Sequence, residues 1–229
     1  MLRSLFISVA LFLLGSVPAL AQSVTVSITP TASLSWFDLD EPLGGWSDNG
    51  LAFPGLWIQA SVPMAFIGGP LAERLSLETG LRYNRLAAQV DWENVIGNPA
   101  QTYRGFFQIR QHVASIPVLA KVRLGTTPVS LMGGLDVGFL VGATKVSETE
   151  VPTEARSSMK RDVLDDIRRA QLSLMAGIGF RVASSIELVL LYGAGTASNK
   201  KNAEAAVLVT DWQTRHAALG VRYQLGVKR

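Results

Sequence analysis

The sequence predicts an all-β chain: eight antiparallel strands, joined up-and-down and closed into a ring that spans a membrane. Three observations carry that expectation. Apolar and polar residues alternate with period two in eight separate stretches, which is the pattern of strands with one greasy face. The connections between those stretches are long and short in strict turn. The polar faces are built from Gly, Ser and Thr with isolated charges, not from the Lys, Glu and Gln that coat a soluble surface.

The first stretch sets Val24, Val26, Ile28, Ala32, Leu34 and Trp36 against a run of Ser and Thr, and the second alternates Leu56, Ile58, Ala60, Val62, Met64 and Phe66 with Trp57, Gln59, Ser61 and Pro63. In the third, Leu75, Leu77, Leu81 and Tyr83 oppose Ser76, Glu78, Gly80, Arg82 and Asn84; in the fourth, Ile116, Val118, Ala120, Val122 and Leu124 face away from Lys121 and Arg123. The fifth puts Leu131, Leu135, Val137, Phe139 and Val141 opposite Ser130, Gly134, Asp136 and Gly138. The sixth runs Leu172, Leu174, Ala176, Ile178, Phe180 and Val182 against Ser173, Gly177, Gly179 and Arg181. Ile186, Leu188, Leu190 and Tyr192 alternate with Glu187 and Gly193 in the seventh, and Leu219, Val221, Tyr223 and Leu225 with Gly220, Arg222 and Gln224 in the eighth. An even count is what a bacterial single-chain barrel requires.

The connections run in order as residues 38–55, "GGPLAER", "ENVIGNPAQ", "GTTP", the charged "SETEVPTEARSSMKRD", "ASS" and "SNKKNAEAAVLVT". A barrel whose N-terminus lies in the periplasm puts short turns there and long loops outside. The stretch "MKRDVLDDIRR" is expected either to extend strands above the membrane or to form a short helix.

Residues 1–21 read as a secretory signal peptide, with basic Arg3, an apolar run from Leu5 to Leu14 and the cleavage pattern Ala19-Leu20-Ala21. That run is shorter than the ~20 residues of a spanning helix and is broken by Gly15 and Pro18. Residues 22–229 are then expected to be one barrel domain. A formal charge of only +3 gives nucleic-acid binding no support, and a chain without cysteine has no disulfide framework or thiolate metal site.

Lipid against the apolar face is the choice that suits the charges, because an arginine at the bilayer midplane costs ~2–4 kcal/mol on a barrel's outer face. On this register the lumen holds Glu78, Arg82, Lys121, Arg123, Asp136, Arg181, Glu187 and Arg222. Folding the "ASS" turn places Arg181 beside Glu187 as a cross-strand ion pair. Two readings of these charges stand: a paired polar plug, or a thin water path in which the excess of bases favours anions. Trp36, Tyr83, Phe106, Tyr192 and Trp212 are expected at the long-loop interface, and Phe66 and Phe180 at the other. Pro30, Pro63 and Pro117 call for a bulge or an irregular strand end, since a closed ring has no free edge.

Little else in the sequence suggests chemistry. The two histidines, His112 and His216, fall on opposite faces of the wall, so no metal or cofactor is expected. His216 near Ser198 or Asp211 imitates a lipid-modifying site, but a solvated rim histidine is the simpler reading. The glycine-rich "GAGTAS" and "GGLDVG" lack the Lys-Ser/Thr ending of a phosphate loop.

The stretches "LETGLRYNR", "ASIPVLAKVRLG", "PVSLMGGLDVGF" and "LGVRYQLGV" resemble the small eight-stranded outer-membrane barrels of the OmpA and OmpX type, and more narrowly the PorT-like outer membrane β-barrel proteins of Bacteroidetes and their relatives. The resemblance implies a bacterial outer membrane location. It also implies an insertion signal read by the outer-membrane assembly machinery, here Gly220, Tyr223 and Leu225, although the chain continues to Lys228 and Arg229. The expected protein is a monomer surrounded by outer-membrane lipid, with a structural or surface-exposed role and no catalysis. The alternatives are a narrow passive channel, adhesion through residues 38–55 and 147–168, or a secretion-associated barrel.

Overall fold

The computed structural model describes residues 24–39, 46–64, 68–69, 72–95, 102–150, 157–197 and 212–225. The signal peptide expected at residues 1–21 lies outside them, as do Phe66, Ser198 and Asp211. The strands are β1 (Thr25–Leu39), β2 (Trp46–Pro63), β3 (Leu75–Val95), β4 (Thr102–Arg123), β5 (Val129–Glu150), β6 (Ser157–Asp162), β7 (Ala170–Ala183), β8 (Ile186–Gly195) and β9 (Trp212–Leu225). All pairings are antiparallel, and the β4–β5 and β1–β9 ladders close the ring.

Among the described residues nine strands stand where eight were expected, yet the ring has eight positions. Both β6 and β7 pair with β5, the first along Thr144–Thr149 and the second along Val129–Phe139. They are two pieces of one barrel strand, and the residues between them leave the ladder. The Val163 amide donates to the Ala143 carbonyl at 3.1 Å and the Leu140 amide to the Arg169 carbonyl at 2.7 Å, so residues 163–169 lie opposite only residues 140–143. The excess length dips inward and buries Val163 and Ile167. Strand extension, not a helix, is the form taken at Ser157–Asp162, with a turn over residues 164–166.

In the lower part of the ring the outward register is apolar and exposed, as at Ile58, Leu81, Val118, Leu135, Leu174, Leu190 and Leu219, while Glu78, Arg82, Lys121, Asp136, Glu187 and Arg222 are buried inside. Beyond Tyr83 the two faces of β3 exchange character. Inward Leu86, Ala88 and Val90 are buried, and the outward register carries Arg85, Gln89, Asp91 and Glu93. Strand β4 does the same: outward Ile116 and Ala114 give way to His112 and Arg110, over inward Val113, Ile109 and Phe107. On β1 outward Trp36 is followed by Asp38 over inward Phe37, and on β9 outward Ala217 by Arg215 over inward Trp212.

This inversion marks the outer edge of the hydrocarbon. An apolar exposed face is stable against lipid, and a polar one against water. Trp36, Tyr83 and Tyr192 sit at that edge, with the Trp36 and Tyr192 rings 6.2 Å apart; Phe180 and Tyr223 mark the other. Trp212 does not join the belt: it faces inward with no exposure and packs on Phe37 at 4.4 Å.

The inversion also explains why strands run on where connections were expected. β1 reaches Leu39 and β2 begins at Trp46, inside the expected loop 38–55, while β3 runs to Val95, β4 starts at Thr102 and β5 ends at Glu150. Strands β4 and β5 each have 22 residues, about twice the ~9–11 needed to cross a bilayer. β8 has 10. Among the described residues, β3, β4 and β5 are therefore the long strands and β8 the short one.

Register shifts fall between Gly50 and Gly55, a stretch that contains Pro54, at His112/Val113 and at Arg181/Ala183, not at Pro30, Pro63 or Pro117. Pro63 ends β2. At Pro30 and Pro117 the register continues unshifted, and only the neighbouring ladder pairs lapse on one side, because a proline lacks one donor but still fits an extended backbone.

Leu219, outward and midway between Tyr223 and Arg215, sits in the centre of the apolar band. Leu219→Arg is expected to lower unfolding free energy in lipid vesicles by ~2–4 kcal/mol, and Val182→Arg, at the lower edge, by only ~0–1 kcal/mol. Denaturant titration followed by tryptophan fluorescence distinguishes the two.

Candidate functional site

The lumen is layered. At the lower layer four charged side chains from four strands meet across the axis: Glu78 on β3, Lys121 on β4, Glu187 on β8 and Arg222 on β9. Arg222 donates two parallel bonds to Glu78, Nη1 to Oε1 at 2.9 Å and Nη2 to Oε2 at 3.0 Å, and a third from Nη1 to Glu187 at 2.7 Å. Lys121 Nζ lies 2.6 Å from Glu187 and 3.4 Å from Glu78. Ser130 Oγ donates to the remaining Glu187 oxygen at 2.9 Å. The Arg222 guanidinium also lies over the Trp57 ring, 5.4 Å from its centre. Gly179 is needed here, because a Cβ on it would come within 2.3 Å of Glu187 Oε1.

One layer up, Arg82 donates to Asp136 at 3.2 Å and meets His216 Nε2 at 3.0 Å. Gly193 leaves room for that histidine, whose ring a Cβ would approach to 2.2 Å. The network orients two amides: with their oxygens turned to the guanidinium groups, Asn84 accepts from Arg82 at 2.7 and 2.8 Å, and Gln59 from Arg222 at 2.8 Å. Around these polar layers Trp57, Leu119, Met132, Met175, Val189, Leu191 and Ala218 form an apolar cluster.

Above both, a second cluster joins Phe37, Leu86, Val90, Phe107, Ile109, Val113, Leu140 and Trp212 to Val163 and Ile167 of the inward excursion. Lys145 lies over the Phe107 ring at 5.1 Å, and burial, helped by nearby Arg161, holds its ammonium below the usual lysine range. None of this upper cluster stands out in the sequence as a site. Its signal was legible, because on β3 Leu86, Ala88 and Val90 share the register of Glu78 and Arg82.

Six of the eight lumenal charges are buried, three bases (Arg82, Lys121, Arg222) and three acids (Glu78, Asp136, Glu187). The two others, Arg123 and Arg181, are exposed at the mouth of a cavity of about 180 Å3 on the short-turn side. The expected Arg181–Glu187 ion pair does not form, although the two are ladder neighbours. Glu187 is drawn inward instead, because Glu78 alone would leave one of the two buried cations, Lys121 and Arg222, uncompensated.

His216 is not a solvated rim histidine: it is 3% exposed and bonded to Arg82. His112 is on the lipid-facing register and meets the Tyr83 hydroxyl at 2.6 Å. Of the expected insertion signal, Tyr223 and Leu225 are exposed on the outward face, and Gly220 is inward beside Thr29 and Thr31.

A family model described as an outer membrane protein beta-barrel domain matches residues 58–195. Among solved structures, the chain is similar to Ail, the attachment invasion locus protein of Yersinia pestis, crystallised with the heparin analogue sucrose octasulfate, at 13% identity over 89% of this chain and 99% of that one, with a TM-score of 0.42. OprG from Pseudomonas aeruginosa is 12% identical over 90% of this chain and 97% of that one, with a TM-score of 0.40. The N-terminal beta-barrel domain of Pseudomonas aeruginosa OprF is 8% identical over 87% and 97%, with a TM-score of 0.33. No curated protein matches.

Arg82→Leu would leave the Asp136 carboxylate buried without its cation and is expected to cost ~3–5 kcal/mol of stability, most of it recovered in the Arg82→Leu/Asp136→Leu double variant. Arg181→Gln, at the open mouth, should change stability by less than ~0.5 kcal/mol. Unfolding in detergent micelles measures all three.

Proposed function

Because the chain belongs to the outer membrane protein beta-barrel domain family, we propose that it is a sealed, non-catalytic barrel of the bacterial outer membrane whose role lies in the surface it raises outside the cell. The observation that carries this reading is the inversion of the strand faces above Tyr83. A wall that continues beyond the bilayer with an apolar interior and a polar exterior is a folded extracellular platform, not a pair of solvated loops.

The sealed lumen supports the same conclusion. A water path would have to pass the Arg222–Glu78–Glu187–Lys121 network, the Arg82–Asp136 pair and the cluster of Phe37, Phe107, Ile109, Ile167 and Trp212. In the polar layers the three buried bases balance the three buried acids, so no excess of bases is left there to favour anions. Burial of His216 against Arg82 removes it from the rim, where a lipid-modifying histidine would be needed.

The same proposal includes a monomer held in outer-membrane lipid and inserted by the assembly machinery through Gly220, Tyr223 and Leu225. It also includes the PorT-like kinship and its link to secretion, with the tall β3–β5 wall as the surface a secretion partner would meet.

The chain has no cysteine, so single cysteines report topology cleanly. Ser158→Cys on exposed β6 should react with a membrane-impermeant maleimide on intact cells, and Thr127→Cys in the β4–β5 turn only after the outer membrane is opened. The reverse pattern would remove the proposed surface role. In planar bilayers the purified chain should give no steady conductance steps; regular steps would reinstate the channel.

A further inference from the structure

We propose that the outward face of β3 and β4, at the outer edge of the apolar band, binds the phosphorylated head group of an outer-leaflet glycolipid through Arg85 and Arg110, with His112 between them. Arg85 and His112 are directly opposite in the ladder, and Arg110 is the next outward residue of β4, opposite Ala87. Arg85 comes two residues after Tyr83, about 7 Å further along the strand, which is head-group height above an aromatic belt.

Charge compensation at this height differs around the ring. On the β1–β9 side Arg215 is neutralised by Asp38, its Nε 3.1 Å from Oδ2. Among the described residues neither Arg85 nor Arg110 has a carboxylate partner: Arg85 lies over the Phe53 ring at 4.6 Å, and Arg110 Nε donates to Gln108. Asp162 is two strands away across Thr144, its backbone about 10 Å from that of Arg110, and its carboxylate accepts from the Leu164 amide.

The guanidinium of Arg85 is also held in place. Phe53 stacks on it, and its Nε is buried without a partner. That placement follows from the irregular stretch of β2 between Gly50 and Gly55, where Ser35 of β1 reaches past β2 and bonds both the amide and the carbonyl of Ala87 at 2.7 Å. His112 is fixed by Tyr83. Two guanidiniums with no carboxylate partner among the described residues and an imidazole, half-buried on the outward register at head-group height, complement phosphate, and the exposed apolar side chains of Leu81 and Val118 just below complement the acyl chains.

The inference rests on the outer-membrane orientation, which the cysteine labelling tests separately. The test uses the full chain refolded in zwitterionic detergent, titrated with bisphosphorylated lipid A and with the same lipid stripped of phosphate, bound lipid being counted by native mass spectrometry. The phosphorylated lipid should be retained and the stripped one should not. Arg85→Gln and Arg110→Gln should each weaken retention roughly fivefold and multiply in combination, less steeply as salt rises. Arg110→Gln leaves the Phe53 stack untouched, so it carries the test even if Arg85→Gln misfolds. Equal retention of both lipids, retention unchanged in the double variant, or an equal loss in Arg123→Gln/Arg181→Gln at the opposite mouth would each overturn the proposal. Displacement of the lipid by inorganic phosphate at matching concentration would overturn it too, making this a site for a soluble anion.

Discussion

The structure depends on a change of solvent partway along each strand. Below Tyr83 the outside of the wall is hydrocarbon, and above it the outside is water. A strand has only two faces, so the apolar one must turn outward in the first medium and inward in the second. Strands β1, β3, β4 and β9 all make this exchange near the outer aromatic belt, at Trp36/Asp38, Tyr83/Arg85, Ala114/His112 and Ala217/Arg215.

Within the membrane, that constraint leaves the lumen as the place for polarity, and a ring of eight strands is narrow enough for side chains to bridge it. Buried charges are then tolerable only in compensated sets. The sets here draw on β3, β4, β5, β8 and β9, so they tie distant parts of the ring together across its axis. Above the membrane the lumen meets the opposite demand. It is filled by apolar side chains, and the interrupted sixth position of the ring contributes Val163 and Ile167 to that filling.

The asymmetry of the rim connects these layers to function. Among the described residues β3, β4 and β5 are long and β8 is short, so on the proposed orientation the β3–β5 flank is what the barrel shows the exterior. On the same flank Arg85 and Arg110 have no carboxylate partner among the described residues, whereas across the β1–β9 ladder Asp38 neutralises Arg215. A flank gripped by lipid at its base and cored with apolar residues above would hold a fixed angle to the membrane, which is what a presented surface needs.

The membrane-embedded half of the fold was legible in the sequence, because lipid enforces one period-two pattern on every strand it touches. The faces of Arg82, Asp136, Glu187 and Arg222 followed from register alone, as did the opposite sides taken by His112 and His216. Above the membrane the pattern inverts. Leu86, Val90 and Ile109 therefore fall outside the stretches that read as strands, Trp212 reads as belt rather than core, and Arg85 and Arg110 do not stand out. Register also says nothing about reach across the ring. Arg181 and Glu187 are neighbours by sequence, yet Glu187 joins Arg222 and Lys121 because burial makes an uncompensated cation far costlier inside the lumen than at its mouth. The sequence by itself determined which face each membrane-embedded residue occupies, since that depends only on the medium outside the wall; only the closed ring decided which charges pair, where the strands end and how the sixth is broken, since those depend on side chains brought together from opposite walls.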